Sequence, residues 1–123
     1  MVKEHSSCHS ILVVEDDDDI RNAIVDLLET EGYCAESAIN GKDALTKLSQ
    51  IHKPCLVLLD MMMPIMNGRQ FLDEVMKDSN LAPIPVLIVS AVADKTNTEG
   101  SVGFLKKPID IDIVLDVVSQ YCK

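Results

Sequence analysis

Apolar residues along this chain fall into two patterns. One is the short, nearly unbroken run: Ile11-Leu12-Val13-Val14, Leu56-Val57-Leu58-Leu59, Val86-Leu87-Ile88-Val89, and the briefer Gly103-Phe104-Leu105-Lys106. Runs of this length, rich in β-branched residues and bounded by turn formers, predict strands buried on both faces. The other is the helical stripe. Ile20, Ile24, Leu27 and Leu28 recur at that spacing until Gly32, and Ala44, Leu45 and Leu48 follow the turn at Asn40-Gly41. Phe71, Leu72, Val75 and Met76 follow Pro64 and Gly68, and Ile113, Val114, Val117, Val118 and Tyr121 follow Asp110. Each stripe predicts a helix with those side chains turned inward. Tyr33 to Ala38 is expected to be a second, shorter strand.

Strands that alternate with helices imply βα units. The expected fold is therefore α/β, a three-layer, doubly wound, five-stranded parallel sheet with right-handed crossovers and helices on both faces. In such a sheet all carboxyl ends share one edge, so residues remote in sequence converge there. The residues delivered to that edge are Glu15-Asp16, Asp60, Ser90 and Lys107.

Each has an ordinary explanation when taken alone. Asp60 after a strand can cap a loop, Ser90 can satisfy nearby backbone, and Lys107 can be a solvated surface lysine. Asp17, Asp18 and Asp19 are helix-start chemistry, where acids cap free N–H groups and complement the macrodipole. Taken together, three acids, a hydroxyl and a lysine at the ends of four strands point to a common site. Carboxylates crowded in a cleft stay ionised most readily around a divalent cation. Magnesium fits, with manganese as its substitute: Asp16 as direct ligand, Glu15 through water, Asp60 as a third oxygen and the Met62 backbone carbonyl completing the protein's share. An oxygen nucleophile (Asp60), a cation (Lys107) and a hydroxyl donor (Ser90) are then what phosphoryl transfer requires.

Composition narrows the partners. With 123 residues, 47% hydrophobic and 25% charged, the chain is expected to form one domain. A net charge of −9 argues against a direct nucleic-acid surface, which needs clustered Lys and Arg. No apolar stretch approaches a membrane span and no signal-peptide core is present, so a cytoplasmic protein is expected. Cys8, Cys34, Cys55 and Cys122 lack CxxC spacing and are expected to be reduced thiols. His5, Cys8 and His9 lie in a Ser-rich start that offers no fourth metal ligand nearby, so residues 1–9 are expected to be a flexible extension.

The ordered segments Ile11-Leu12-Val13-Val14-Glu15-Asp16, Leu56 to Gly68 and Lys107-Pro108 resemble the receiver domain of two-component response regulators, over nearly the whole chain from about Ser10 to Lys123. The resemblance implies a flavodoxin-like strand order 2-1-3-4-5. It also implies that Asp60 accepts a phosphoryl group from a phosphohistidine on a sensor histidine kinase or histidine phosphotransferase, so switching a surface read by a downstream target protein. Ser90 and Lys107 would engage the phosphate, and Phe104 matches the aromatic switch position. Met62 and Val92 match the positions that govern loss of the phosphate; both are apolar, which implies slow self-dephosphorylation. Catalysis is expected only of the chain's own phosphorylation and dephosphorylation.

Glu15 replaces the commoner Asp, with a modest effect expected on the water around the metal. The stretch Ala91–Lys106 is shorter than is usual for receivers, and Asp94 to Ser101 contains no apolar residue. The fourth helix is therefore expected to be shortened or absent, replaced by a mobile loop, which puts docking through that face in question; a monomer or weak dimer is expected. A stand-alone relay and a receiver cut from a hybrid histidine kinase are both compatible with the sequence. A small magnesium-dependent phosphotransferase with an Asp nucleophile is the competing enzyme reading. Against it, Met62 stands where a leaving-group acid is needed. A flavin or nucleotide carrier would require a phosphate-cradling loop where Glu15 to Asp19 lie.

Overall fold

The computed structural model describes residues 10–91 and 99–122. Its elements run β1 (Ser10–Val14), α1 (Asp18–Thr30), β2 (Cys34–Ala38), α2 (Gly41–Gln50), β3 (Leu56–Leu59), α3 (Gly68–Lys77), β4 (Val86–Ser90), β5 (Gly103–Lys106) and α4 (Ile111–Tyr121). The strands form one sheet in the order β2-β1-β3-β4-β5, every neighbouring pair parallel. The apolar runs are therefore strands, and the topology is flavodoxin-like. The central strands β1, β3 and β4 are buried almost throughout.

Alternation along each strand divides the core in two. Leu12, Val14, Val57, Leu59, Val86 and Ile88 face one side and pack with Ala44 and Leu48 of α2 and Phe71, Leu72 and Val75 of α3. Ile11, Val13, Leu56, Leu58, Leu87 and Val89 face the other and pack with Ile24 and Leu28 of α1 and Val114 and Val118 of α4. These are the three layers expected. The inward stripes hold with corrections at their edges: Met76, Ile113 and Tyr121 are exposed. Each sits at the rim of a stripe, where a rotation of part of a turn turns the side chain to solvent.

Helix starts are specified locally. Asp17 caps α1 by accepting from the Ile20 N–H, Asn40 caps α2 from Asp43, and Asn67 and Gln70 form a reciprocal capping box on α3. Among the described residues no helix lies between β4 and β5. Ala91, Glu99 and Gly100 are turn residues there, and the rest of the proposed loop falls in 92–98, outside the described residues, as does Val92. The stretch 1–9, with His5, Cys8 and His9, is outside them too.

The cysteines correct the sequence reading. Cys55 and Cys122 form a disulfide across a sequence separation of 67, and Cys34 is disulfide-bonded as well. Local spacing could not reveal the Cys55 pair. It forms because α4 runs antiparallel to the strands, which returns its carboxyl end, capped by Cys122, to the amino edge of the sheet where Cys55 leads into β3.

Candidate functional site

The site is assembled by register. Val14 pairs with Leu59, so the next residues, Glu15 and Asp60, leave neighbouring central strands side by side at the carboxyl edge. Their backbones stay tied to the sheet: the Asp60 N–H donates to the Val14 carbonyl at 3.0 Å and the Glu15 N–H to the Ala38 carbonyl at 3.1 Å. Asp60 and Glu15 are 5% and 4% exposed, whereas Asp16 is open to solvent. One carboxylate oxygen from each of Glu15, Asp16 and Asp60 lies within 4.8 Å of the others.

Lys107, just beyond β5, closes the cluster. Its Nζ donates to Glu15 Oε1 at 2.7 Å and stands 3.7 Å from Asp60 Oδ2. It is followed by a cis Lys107-Pro108 peptide. Three carboxylates against one ammonium leave two negative charges over. Burial pushes the Glu15 carboxyl above its ordinary pKa, with the Asp60 charge adding to the shift and the Lys107 hydrogen bond resisting it. Burial works the other way on Lys107, yet the Glu15 hydrogen bond and the charges of Asp60, Glu15 and Asp16 outweigh it and hold the ammonium above its ordinary value. Acid and base are thus both raised, Glu15 chiefly by burial and Lys107 by the acids around it. A donor set of hard carboxylate oxygens with that excess fits a hard divalent cation such as Mg2+.

The other expected residues are placed as follows. Ser90 ends β4 and is fully buried, and its carbonyl accepts the Lys107 N–H at 3.2 Å, which puts the two residues on the same edge. Phe104 lies on β5 opposite Ile88, partly buried against the core cluster on the α2 and α3 side. The Met62 N–H donates a long bond of 3.4 Å to Asp60 Oδ1, while its side chain is 63% exposed. Met61 and Met63 are buried and serve as packing.

Two features of the site were not anticipated from sequence. Gly68 begins α3 directly against the loop that follows β3: a Cβ there would stand 2.5 Å from the Asp60 carbonyl oxygen and 2.8 Å from Met61 Cα. Arg21 reaches back from α1 to the Glu15 carbonyl at 2.9 Å. A signal for Arg21 does exist in the sequence, because a cation in the first turn of a helix opposes the macrodipole and so implies a tertiary partner.

Fold and site together define a doubly wound α/β domain with a cluster of three acids and a lysine at the carboxyl edge of its sheet. The family model for the response regulator receiver domain matches residues 11–119, and the chain belongs to that family. It is 31% identical over 117 residues to the polar-differentiation response regulator DivK of Brucella anthropi, covering 91% of this chain and 94% of that one. It is 32% identical over 114 residues to protein PilH of Pseudomonas aeruginosa, covering 89% and 93% respectively. It is also 44% identical over 81 residues to a CpxR homolog of Haemophilus influenzae, described as a transcriptional regulatory protein; the match covers 66% of this chain and 34% of that longer protein. Among solved structures, the chemotaxis response regulator CheY4 of Vibrio cholerae superposes with a TM-score of 0.83 at 27% identity, over 93% of this chain and 98% of that one. The signal receiver domain of a histidine kinase from Syntrophus aciditrophicus gives 0.84 at 27% identity, over 93% and 89%. Receiver domains belong to two-component signalling and bind Mg2+ through acidic residues. They are signalling proteins rather than enzymes of the ordinary kind. No helix among the described residues is long and apolar enough to cross a membrane.

Proposed function

We propose that this domain, residues 10–123, is a phosphoacceptor of a two-component phosphorelay in which Asp60 takes a phosphoryl group from a phosphohistidine on a sensor kinase or histidine phosphotransferase. The observation that carries the reading is the setting of Asp60: a buried carboxylate at the carboxyl edge, within 4.8 Å of two further carboxylates and 3.7 Å from Lys107 Nζ. In the transfer, an Asp60 oxygen attacks phosphorus, an O–P bond forms, the histidine N–P bond breaks, and the imidazole leaves with the electron pair. Glu15, Asp16, Asp60 and the Met62 carbonyl are the groups that would hold Mg2+, which supplies charge neutralisation for the phosphoryl oxygens.

Lys107 needs only a small swing from Glu15 to pair with a phosphoryl oxygen, since it already faces both acids. Ser90 donates its hydroxyl to the phosphate, and Phe104, partly buried beside β4, moves with that edge to alter a surface read by a target protein. Met62 has no group able to orient an attacking water, so the phosphoryl form decays slowly; Val92, the second such position, lies outside the described residues. The reading places the protein in the cytoplasm, acting without direct nucleic-acid contact, as a monomer or weak dimer. There a reducing environment opens the Cys55–Cys122 bond. The likeness to a histidine kinase's receiver keeps a second origin in view, in which the same domain serves inside a hybrid kinase.

Incubation with acetyl phosphate and Mg2+, followed by intact-mass spectrometry, tests the chemistry. Wild type gains one phosphate and Asp60→Asn gains none; equal labelling of both refutes the assignment.

A further inference from the structure

We propose that Arg21 is a positioning residue for the divalent-cation site, acting through the backbone of the loop between β1 and α1. The inference rests on the reading of Glu15, Asp16 and Asp60 as that site. Arg21 sits one turn inside α1 with its side chain only 11% exposed, and its Nη1 donates to the Glu15 carbonyl at 2.9 Å with a longer 3.5 Å contact to the Asp16 carbonyl. Its Nη2 pairs with Asp18. A guanidinium offers several donors in a fixed plane and keeps its charge at every relevant pH, so it can hold both peptide groups at once.

The consequence falls on Asp16. Glu15 is buried and its side chain is fixed by Lys107 and by the Asp17 N–H, which donates to Glu15 Oε2 at 3.2 Å. Asp16 is exposed. What orients it is its backbone. The preceding peptide is held by Arg21 at the Glu15 carbonyl, and the following residue, Asp17, is fixed as the cap of α1. Releasing the Arg21 contact frees the Glu15–Asp16 peptide to rotate and lets the Asp16 oxygen leave the 4.8 Å cluster. Groups that orient metal ligands from outside the ligand set typically change metal affinity by about 10- to 100-fold when lost.

The charge of Arg21 makes the inference decidable. If Arg21 acted only as a nearby cation, removing it would tighten divalent binding; if it positions the loop, removing it weakens binding. Calorimetric titration of Mn2+ alone into the metal-free protein, at a temperature where circular dichroism shows each variant folded, reads the sign. Arg21→Met keeps the apolar stem and should weaken Mn2+ by about 10-fold. Arg21→Lys keeps the charge but has one ammonium in place of a planar fork, and should also weaken binding, by less; it carries the test if Arg21→Met does not fold. Affinity equal to or tighter than wild type in the folded variants overturns the inference while leaving the phosphoacceptor reading intact. A wild-type protein that takes up no Mn2+ overturns the cation-site reading, and this inference with it.

Discussion

Replacing Gly68 by Ala separates two arguments that predict opposite signs. Gly68 is the first residue of α3, its φ is not left-handed, and helix propensity alone makes Ala better by up to about 1 kcal/mol. Contact geometry says otherwise. The added methyl would meet the Asp60 carbonyl oxygen at 2.5 Å, Met61 Cα at 2.8 Å and Met61 Sδ at 2.8 Å. The first two are backbone atoms of the segment leaving β3, held by the Gly68 N–H to Met61 carbonyl bond at 3.1 Å, so relief requires moving α3 or the loop as a unit. Overpacking of that kind costs about 1–3 kcal/mol; against a propensity gain of about 1 kcal/mol this leaves a net loss of up to about 2 kcal/mol. For 123 residues, with an unfolding entropy of about 2.1 cal/mol/K per residue, a 2 kcal/mol loss lowers the melting midpoint by about 8 °C. In urea the midpoint falls by about 1 M with an unchanged slope. The displaced backbone also carries Asp60, so acetyl phosphate labelling slows in the folded variant. A Gly68→Ala protein as stable as wild type, or more so, would show that the close approach is not a constraint.

Two further substitutions or treatments follow from the same coordinates. Ile65 is β-branched, 77% exposed and held at φ +67, so Ile65→Gly should remove left-handed strain of about 1–2 kcal/mol at a somewhat smaller entropic cost and raise the urea midpoint slightly; a lower midpoint would show that the turn is not strained. Reducing the Cys55–Cys122 bond reopens a loop of 67 residues and should lower stability by about 2–4 kcal/mol, read as a drop in melting midpoint that reoxidation restores; an unchanged midpoint, with thiol release confirmed, would refute the constraint.

The sheet was legible because its runs are too short for helices and too apolar for loops. Once four such runs alternate with helical stripes, the strand direction follows, and with it the common edge. Glu15, Asp60 and Lys107 could thus be brought together on paper, and the structure places their charged atoms within a few ångströms. What was not legible depends on distance through the fold rather than pattern along the chain. The Cys55–Cys122 bond needs the antiparallel return of α4, which no local spacing encodes. A cation in the first turn of α1 hints at a partner for Arg21, and Asp18 is one, but the carbonyls it also holds have no sequence identity. Met76, Ile113 and Tyr121 lie outside the core although their stripes point inward, because a stripe fixes a face only to within roughly a third of a turn and residues at its margin are decided by the neighbouring element.

The charge balance bears directly on the proposed function, in which one pocket would both hold a cation and act as a switch. Lys107 is shared between Glu15 and Asp60 and is closer to the former, at 2.7 against 3.7 Å. The buried Glu15 therefore holds the ammonium that a phosphoryl group on Asp60 would need. Glu15, Asp16 and Asp60 would hold a divalent ion whose two positive charges offset the excess; Glu15 would then hold Lys107 less strongly, leaving the ammonium able to turn. On the proposed function, a phosphoryl group on Asp60 would replace one carboxylate charge with close to two, restoring an excess of negative charge on the side facing Lys107 and Ser90. Each step creates the imbalance that the next one answers. Glu15 in place of the shorter acid strengthens this coupling, because its longer arm reaches the ammonium directly. Glu15→Asp should therefore leave Lys107 less tightly held in the metal-free protein.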